Sequence, residues 1–264
     1  MLRIASISAV FLLPLIAGCA GTTNMSVPRT ELAPTGSLRV ALFTGNPVIA
    51  TRNKATGELG GTTFILGKAL AERAGVGFAP IEYTAVAKLM EDARTGAWDI
   101  AVVAFDPARR NVIDFAPPHM IVDLTYLVPP GSSIRSVAGA DQPGIRIAAA
   151  RGAATTLFLQ RTLKQAELTP AENEPAAFEL IKQGKAQAYA QNRTMLLGLA
   201  EGLPGARVLE DRFSAAELTI VLPKGRPAAL AYVNVFVEQS KASGAVARAI
   251  EASGLRGVSV APGM

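Results

Sequence analysis

The sequence predicts an α/β protein made of two doubly wound lobes joined by a two-strand hinge. Short aliphatic runs alternate with amphipathic stretches from Gly36 onward, as expected for parallel sheets covered by helices. This alternation occurs twice, and each occurrence is followed by an aliphatic segment that can cross to the other lobe. The chain has 264 residues, 50% of them hydrophobic, which is enough for two buried cores.

The first unit is predicted to run strand, helix, strand, helix, strand. Its first helix can be capped by Thr62 or Thr63 and ends at Gly75, because glycine tolerates the left-handed conformation that follows many helices. Its second helix stops at Gly96. The three expected strands are residues 38–43, 78–83 and 99–105, and the second helix covers residues 86–95.

The second unit repeats the pattern. One helix opens at Gly152, and another begins at Pro175 and ends at Gly184. The expected strands are 145–150 and 186–190, the crossing segments are 120–128 and 217–222, and two helices follow at 228–243 and 245–253. Because the chain crosses out and back, we predict a discontinuous first lobe, residues 36–124 and 223–264, around a second lobe of residues 125–222.

The N-terminus predicts export. A basic start ending at Arg3 precedes an apolar run from Ile4 to Ile16, which is too short for a membrane span and typical of a signal peptide, here residues 1–18. Cys19 follows Ala17 and Gly18 and resembles the lipidated cysteine of a bacterial lipobox. The alternative is a chance cysteine beside a conventional cleavage site. We expect a periplasmic or cell-envelope protein, anchored to the membrane through Cys19, with residues 19–35 as a tether.

Composition excludes several classes of chemistry. One cysteine and one histidine cannot form an internal disulfide, a Cys/His zinc cluster or a Cys/His catalytic dyad, and we expect no metal, no cofactor and no catalytic residue. The basic excess of 26 Lys+Arg over 21 Asp+Glu is scattered and the aromatic content is 6%, so nucleic-acid binding is not expected. We expect a monomer.

The segment from Asp99 to Arg109, followed by 113–118 (Ile-Asp-Phe-Ala-Pro-Pro), resembles a stretch found in type 2 periplasmic solute-binding proteins of family 3, which serve ABC transporters of polar amino acids. Weaker similarities in the same order are 45–48, 144–148 with 151–152, 184–188 and 242–244. The resemblance spans almost all of residues 38–254 and implies the periplasmic binding protein-like II fold.

The resemblance implies that Arg109 binds the carboxylate of a ligand. A guanidinium group is always charged and matches a carboxylate bidentately. Without the resemblance, the sequence favours the alternative that Arg109 is an exposed loop residue in a weak surface ion pair. Ala104 and Asp106 are expected to line the same site, with Asp106 in place of the family's threonine.

The turn at Gly152 enters a helix and therefore offers free backbone N–H groups to an anion. Family members usually carry a hydroxyl next to this glycine, whereas this chain has Ala153, so only the backbone donors and Thr155 remain. The alternative is that Thr155 or Thr156 merely caps the helix.

Asn192 stands where many amino-acid binders have an aspartate for the α-ammonium group, and it brings no charge. Val48 replaces the aromatic residue that is common in the first loop. A standard α-amino acid is therefore not expected as the ligand. Asn46, Gln191 and Arg193, together with Asn192, can instead read a polar or second anionic group, or be solvated loop residues.

The expected function is capture of a small carboxylate-bearing solute, an amino acid or related organic acid, between two closing lobes and its delivery to an ABC permease. One alternative is an enzyme on the same fold, similar to the cyclohexadienyl dehydratases, for which Asp106 is the only obvious acid. Another is a ligand-sensing partner of a membrane receptor. The lone His119 is expected at the cleft edge or the hinge.

Overall fold

The computed structural model describes residues 26–263. The strands are β1 (Ser37–Phe43), β2 (Thr51–Arg52), β3 (Leu59–Gly60), β4 (Gly77–Tyr83), β5 (Ile100–Ala104), β6 (Ile113–Val128), β7 (Arg146–Ala150), β8 (Glu167–Ala171), β9 (Ala188–Asn192), β10 (Arg207–Val208), β11 (Ser214–Pro223) and β12 (Val258–Val260). The helices are α1 (Arg29–Leu32), α2 (Thr62–Ala74), α3 (Val86–Ala93), α4 (Val137–Ala140), α5 (Ala154–Thr162), α6 (Glu174–Lys182), α7 (Arg193–Glu201), α8 (Pro227–Ala242) and α9 (Ala245–Ala252). A short 3-10 turn covers Pro107–Arg109.

One sheet runs through both lobes in the order β4-β1-β5-β11-β6-β9-β7-β8. The outer strands are parallel, since β1 pairs in parallel with β4 and β5, and β7 with β8 and β9. The long strands β6 and β11 pair antiparallel with each other and carry the chain out to the second lobe and back. The predicted fold, two α/β lobes joined by a two-strand hinge, is confirmed.

The buried side chains form three clusters. One cluster fills the first lobe and includes residues from α8 and α9, which return to that lobe after the hinge. The other two lie on opposite faces of the second-lobe sheet: Ile147 and Ala149 belong to one, and Ala148 between them to the other. Both faces are covered because successive side chains of a strand point to opposite sides. The predicted lobe boundaries, 36–124 with 223–264 and 125–222, stay a prediction.

The predicted tether is wrong at its C-terminal end. Residues 29–32 form α1, and Leu32 is fully buried in the first-lobe cluster. The carboxylate of Glu31 accepts hydrogen bonds from the backbone N–H groups of Ala228 (2.8 Å) and Ala229 (3.0 Å) and so satisfies the free donors at the start of α8. The predicted signal peptide and Cys19 lie outside the described residues.

Two predicted helix starts are also corrected. Helix α2 is capped by Gly61, whose φ is +93°, and not by a threonine side chain. A Cβ atom at Gly61 would lie 2.8 Å from the Cα of Ala50, so a side chain has no room there. Helix α5 begins at Ala154 rather than at Gly152. The C-terminal cap at Gly75 is confirmed, with φ +61°.

Candidate ligand-binding site

A cavity of about 50 Å³ lies where the two lobes meet at the hinge, within a cleft whose space, open solvent included, is about 540 Å³. Most of its wall is apolar, and the polar side chains are few. The polar lining residues are Asn46 and Arg109 from the first lobe and Thr155, Glu174, Gln191 and Asn192 from the second. The apolar lining residues are Phe43, Val48, Ile49, Val86, Val103, Ala104, Val122, Leu124, Ala153, Ala154, Ala216 and Leu218.

Arg109 spans the cleft. It closes the 3-10 turn that follows β5, and only 6% of its surface is exposed. Its Nη1 donates to the carbonyl oxygen of Ala104 (2.9 Å), and its Nη2 donates to the carbonyl oxygen of Gly152 in the second lobe (2.7 Å). These two bonds fix the plane of the guanidinium and leave its remaining N–H groups available to a ligand.

Burial lowers the pKa of Arg109 to about 10, while Asp106 nearby opposes this effect. The group therefore remains a cation at neutral pH. A buried cation without a carboxylate bound directly to it is costly, and an anionic ligand would offset that cost.

Asp106 does not line the cavity. Its Oδ1 accepts from the backbone N–H of Ala108 (2.8 Å) and caps the 3-10 turn. Its Oδ2 accepts from Nη2 of Arg161 on α5 (2.8 Å), which is a contact between the lobes. Because both oxygens are occupied, the structure gives Asp106 a structural role in place of the predicted ligand contact.

The turn at Gly152 leads into helix α5, as the sequence predicted, but only some of its polar groups are available to a ligand. The carbonyl of Gly152 is taken by Arg109, and Gly152 itself is not among the lining residues. Ala153 is the N-terminal cap of α5, and no side chain caps that helix. Thr155 is therefore not the cap. Thr155 lines the cavity, and its buried hydroxyl has no hydrogen-bond partner among the described residues.

Asn46 and Asn192 meet across the cleft. Nδ2 of Asn192 donates to Oδ1 of Asn46 (3.1 Å), which also accepts from the backbone N–H of Val48 (3.1 Å). Oδ1 of Asn192 accepts from the backbone N–H of Met195 and caps α7, and Oε1 of Gln191 accepts from the Asn192 amide. The predicted polar residues Asn46, Gln191 and Asn192 thus come together, but largely bond one another.

Arg193 lies away from the cavity. Its guanidinium donates to the carbonyl oxygens of Leu209 and Glu210 (2.9 Å each) and pairs with Asp123. The predicted ligand contact is wrong, because Arg193 ties the start of α7 to the segment before β11.

Sequence reasoning missed Glu174. It is the first residue of α6, it is 3% exposed, and it lines the cavity. Burial raises the pKa of its carboxyl group to about 7. The local pattern, with Asn173 as cap and Pro175 in the first turn, marks a helix start and gives no sign that this acid faces a cleft.

Within residues 26–263, no cluster of three or more His, Cys, Asp or Glu side chains is placed to hold a metal ion. None of the helices in this range combines the length and apolar character needed to cross a membrane.

Two α/β lobes that close over a small cavity at a two-strand hinge define a cleft-type solute-binding protein. Residues 38–252 match the sequence model of bacterial extracellular solute-binding proteins, family 3, and the chain belongs to this family.

Curated relatives agree with the family. The chain is 23% identical over 145 residues to the ABC transporter glutamine-binding protein GlnH of Bacillus subtilis, covering 55% of this chain and 53% of that protein. It is 25% identical over 115 residues to a glutamine-binding protein of Geobacillus stearothermophilus, covering 44% of each. The chain spans about half the length of the curated relatives it matches.

Solved structures with the same fold are also found. A structure of the solute receptors for L-cysteine of Neisseria gonorrhoeae has a TM-score of 0.74 and 22% identity, covering 86% of this chain and 93% of that chain. An ancestral amino acid-binding protein, described as a precursor of cyclohexadienyl dehydratase, has a TM-score of 0.71 and 25% identity, covering 84% of this chain and 96% of that one.

Proposed function

We propose that this protein captures a small carboxylate-bearing solute, an amino acid or related organic acid, and delivers it to an ABC permease. The observation that carries the proposal is Arg109, a buried cation that lines the interlobe cavity and that no carboxylate within residues 26–263 binds directly. The family membership and the relatives, whose names describe amino-acid binding, support the same conclusion.

Binding follows from the geometry of the cleft. The carboxylate would accept hydrogen bonds from the N–H groups of Arg109 that are not bonded to Ala104 and Gly152, and from the hydroxyl of Thr155. The apolar wall would cover the rest of the solute and exclude water. Since the cavity needs both lobes, the solute binds the closed state more tightly than the open one and shifts the population toward closure.

We propose further that the protein is held at the cell envelope by a lipid on Cys19, after removal of residues 1–18. The support for this proposal is the apolar run before Cys19 and the small residues Ala17 and Gly18 beside it. Replacement of Cys19 by serine should abolish labelling with a fatty-acid analogue and release the protein from membranes. Unchanged labelling and membrane attachment in the serine variant would show that Cys19 is not the anchor.

A dehydratase-like enzyme is the second candidate, and the observation that favours it is Glu174 rather than Asp106. A carboxyl group with a pKa of about 7 that lines the cavity suits general acid catalysis. Incubating each compound found to bind with stoichiometric protein, followed by mass spectrometry, decides between the two. Recovery of the unchanged compound supports a binding protein, and a converted product supports an enzyme.

Solute binding is tested by a thermal-shift screen of amino acids and small organic acids on the mature protein, followed by calorimetry. A compound present at a hundred times its dissociation constant adds about 2.7 kcal/mol to stability and raises the melting temperature by several degrees. Arg109→Ala should remove the shift. Arg110→Ala is the matched control, because Arg110 is exposed and contacts the ring of Phe105. Equal affinity in wild type and Arg109→Ala would exclude the carboxylate site.

A further inference from the structure

We propose that Glu174 binds the positively charged amino group of the solute, so that the cavity selects a zwitterion with its carboxylate on Arg109 and its ammonium group on the second lobe. This inference rests on the proposed function and narrows its ligand class to amino acids. It replaces the expectation, drawn from Asn192, that a standard amino acid does not bind.

The structure leaves Glu174 without a counter-charge. Three acidic residues are buried in the described chain. Asp99 is paired with Arg39 (2.7 Å) and Arg226 (2.8 Å), and Asp106 with Arg161 (2.8 Å). The carboxyl group of Glu174 forms no ion pair or hydrogen bond with another side chain within residues 26–263. A buried acid that lines a cavity and has no counter-charge gains most from a cationic ligand group.

Asn192 cannot take this role in its observed position. Its side-chain oxygen caps α7, and its amide nitrogen donates to Asn46 and Gln191. Among the described lining residues, Glu174 is the only carboxyl group. Arg109 lines the cavity from the first lobe and Glu174 from the second, so a solute that carries both charges would contact both lobes and stabilise the closed state.

The protonation state of Glu174 gives this proposal a measurable consequence. Burial raises its pKa to about 7, although it occupies the N-terminal turn of α6, where the helix dipole favours a carboxylate. The titratable group next to Glu174 is the buried hydroxyl of Tyr189 on β9, whose pKa is raised by burial and by this carboxylate. Arg109 lines the same cavity. In the empty protein below pH 7 the carboxyl group is therefore mostly protonated. An ammonium ligand favours the carboxylate, and the displaced proton passes to the buffer.

The experiment compares amino acids with counterparts that lack only the amino group. The pairs are L-glutamine with glutaramate, L-cysteine with 3-mercaptopropanoate, and L-arginine with 5-guanidinopentanoate. Calorimetry at pH 6, in two buffers of different ionisation enthalpy, gives the affinity and the number of protons released. We expect at least one amino acid to bind about tenfold or more tightly than its counterpart and to release close to one proton.

Glu174→Gln keeps the shape of the side chain and removes the charge. It should weaken the amino acid about tenfold, leave the deaminated counterpart within about twofold, and abolish proton release. Glu172→Gln is the matched control, because Glu172 is exposed and lies two residues earlier. The comparison within each pair uses the wild-type protein and does not depend on how the variant folds.

Two results would overturn the proposal while leaving the proposed function intact: equal affinity for both members of every pair that binds, or wild-type affinity for the amino acid in Glu174→Gln. If Glu174→Gln weakens L-arginine and 5-guanidinopentanoate equally, Glu174 binds the guanidinium group, which also overturns it. Binding of no member of any pair to the wild type counts instead against the proposed function.

Discussion

Nη2 of Arg109 donates a 2.7 Å hydrogen bond to the carbonyl oxygen of Gly152, which joins the first lobe to the second across the cleft. Arg161 with Asp106 and Asn192 with Asn46 form two more polar contacts between the lobes. The closed arrangement therefore has stabilising contacts of its own. A solute needs to supply only the remaining free energy of closure, and changes to these contacts alter affinity without touching the solute.

Removal of the Arg161 side chain tests this coupling. Arg161→Ala removes the ion pair with Asp106. Because the side chain of Arg161 is half exposed, this ion pair contributes at most about 1 kcal/mol to the stability of the closed form. We expect the ligand-free protein to shift toward the open form and solute affinity to fall by up to about fivefold. Small-angle scattering measures the shift, and calorimetry measures the affinity.

Lys164→Ala, an exposed change near the end of the same helix, is the control for this experiment. If Arg161→Ala left both the radius of gyration and the affinity at wild-type values, the ion pair would not contribute to closure.

Thr155→Val should have opposite effects on stability and affinity. Its buried hydroxyl has no partner among the described residues, so a near-isosteric methyl group removes the cost of an unsatisfied polar group, about 1–3 kcal/mol. The melting temperature of the empty protein should rise. Solute affinity should fall by about threefold to tenfold, because the hydroxyl is then unavailable to the ligand. Calorimetric unfolding and ligand titration measure the two effects.

Thr156→Val provides the matched comparison. The hydroxyl of Thr156 donates to the carbonyl oxygen of Ala150 at 2.5 Å, so the same change should destabilise this site by about 1 kcal/mol. A loss of stability in Thr155→Val, comparable to that in Thr156→Val, would mean that the Thr155 hydroxyl is already satisfied.

His119 makes stability depend on pH. It lies buried on the hinge strand β6, both ring nitrogens lack a partner among the described residues, and burial, helped by Lys241 nearby, lowers its pKa from 6.5 to about 3. The pKa of His119 is lower in the folded protein than in the unfolded chain. Its contribution to the free energy of unfolding is therefore complete above pH 6.5 and is lost as the pH falls toward 3. The expected slope is about 1.4 kcal/mol per pH unit in this window.

Urea unfolding of wild type and His119→Gln between pH 4 and 7 isolates this contribution. As the pH falls, the free energy of unfolding of the wild type should decrease relative to that of His119→Gln. Glu174 acts in the opposite direction: its folded pKa is raised to about 7, so it stabilises the protein as the pH falls from 7 to 4.5. A difference between wild type and His119→Gln that is constant with pH would show that the imidazole titrates normally.

Helix α1 should contribute to the stability of the folded protein. Leu32 is fully buried in the first-lobe cluster, so Leu32→Ala should lower the free energy of unfolding by about 2–5 kcal/mol. Urea denaturation measures this change. Thr30→Ala, at an exposed position of the same helix, should remain within about 0.5 kcal/mol of wild type. If Leu32→Ala were equally neutral, residues 29–32 would belong to the tether after all.

Much of the fold follows from local patterns. The strand–helix alternation located β1, β4, β5, β7 and β9 to within two residues at each end because apolar runs bounded by glycine carry that information. Elements with weak patterns were missed. Strand β8 contains Pro170 and has one buried residue, Ala171. Helix α7 follows β9 directly, with no glycine or proline between them.

The tether was mispredicted for a similar reason. Four residues are too few to show a helical period, and the burial of Leu32 depends on α8, which lies almost 200 residues later in the chain.

The sequence by itself determined the class of fold, the family and the place of Arg109, since these depend on periodicity and on a contiguous motif. Only the tertiary structure decided which polar residues face the cavity. Asp106 and Arg193 lie beside the predicted site in sequence, yet their partners, Arg161 and the carbonyls before β11, turn them away from it. Glu174 enters the cavity because α6 begins at the edge of the cleft. A side chain's surroundings are set by elements distant in the chain, and these determine whether an acid is paired, solvated or buried beside a cavity.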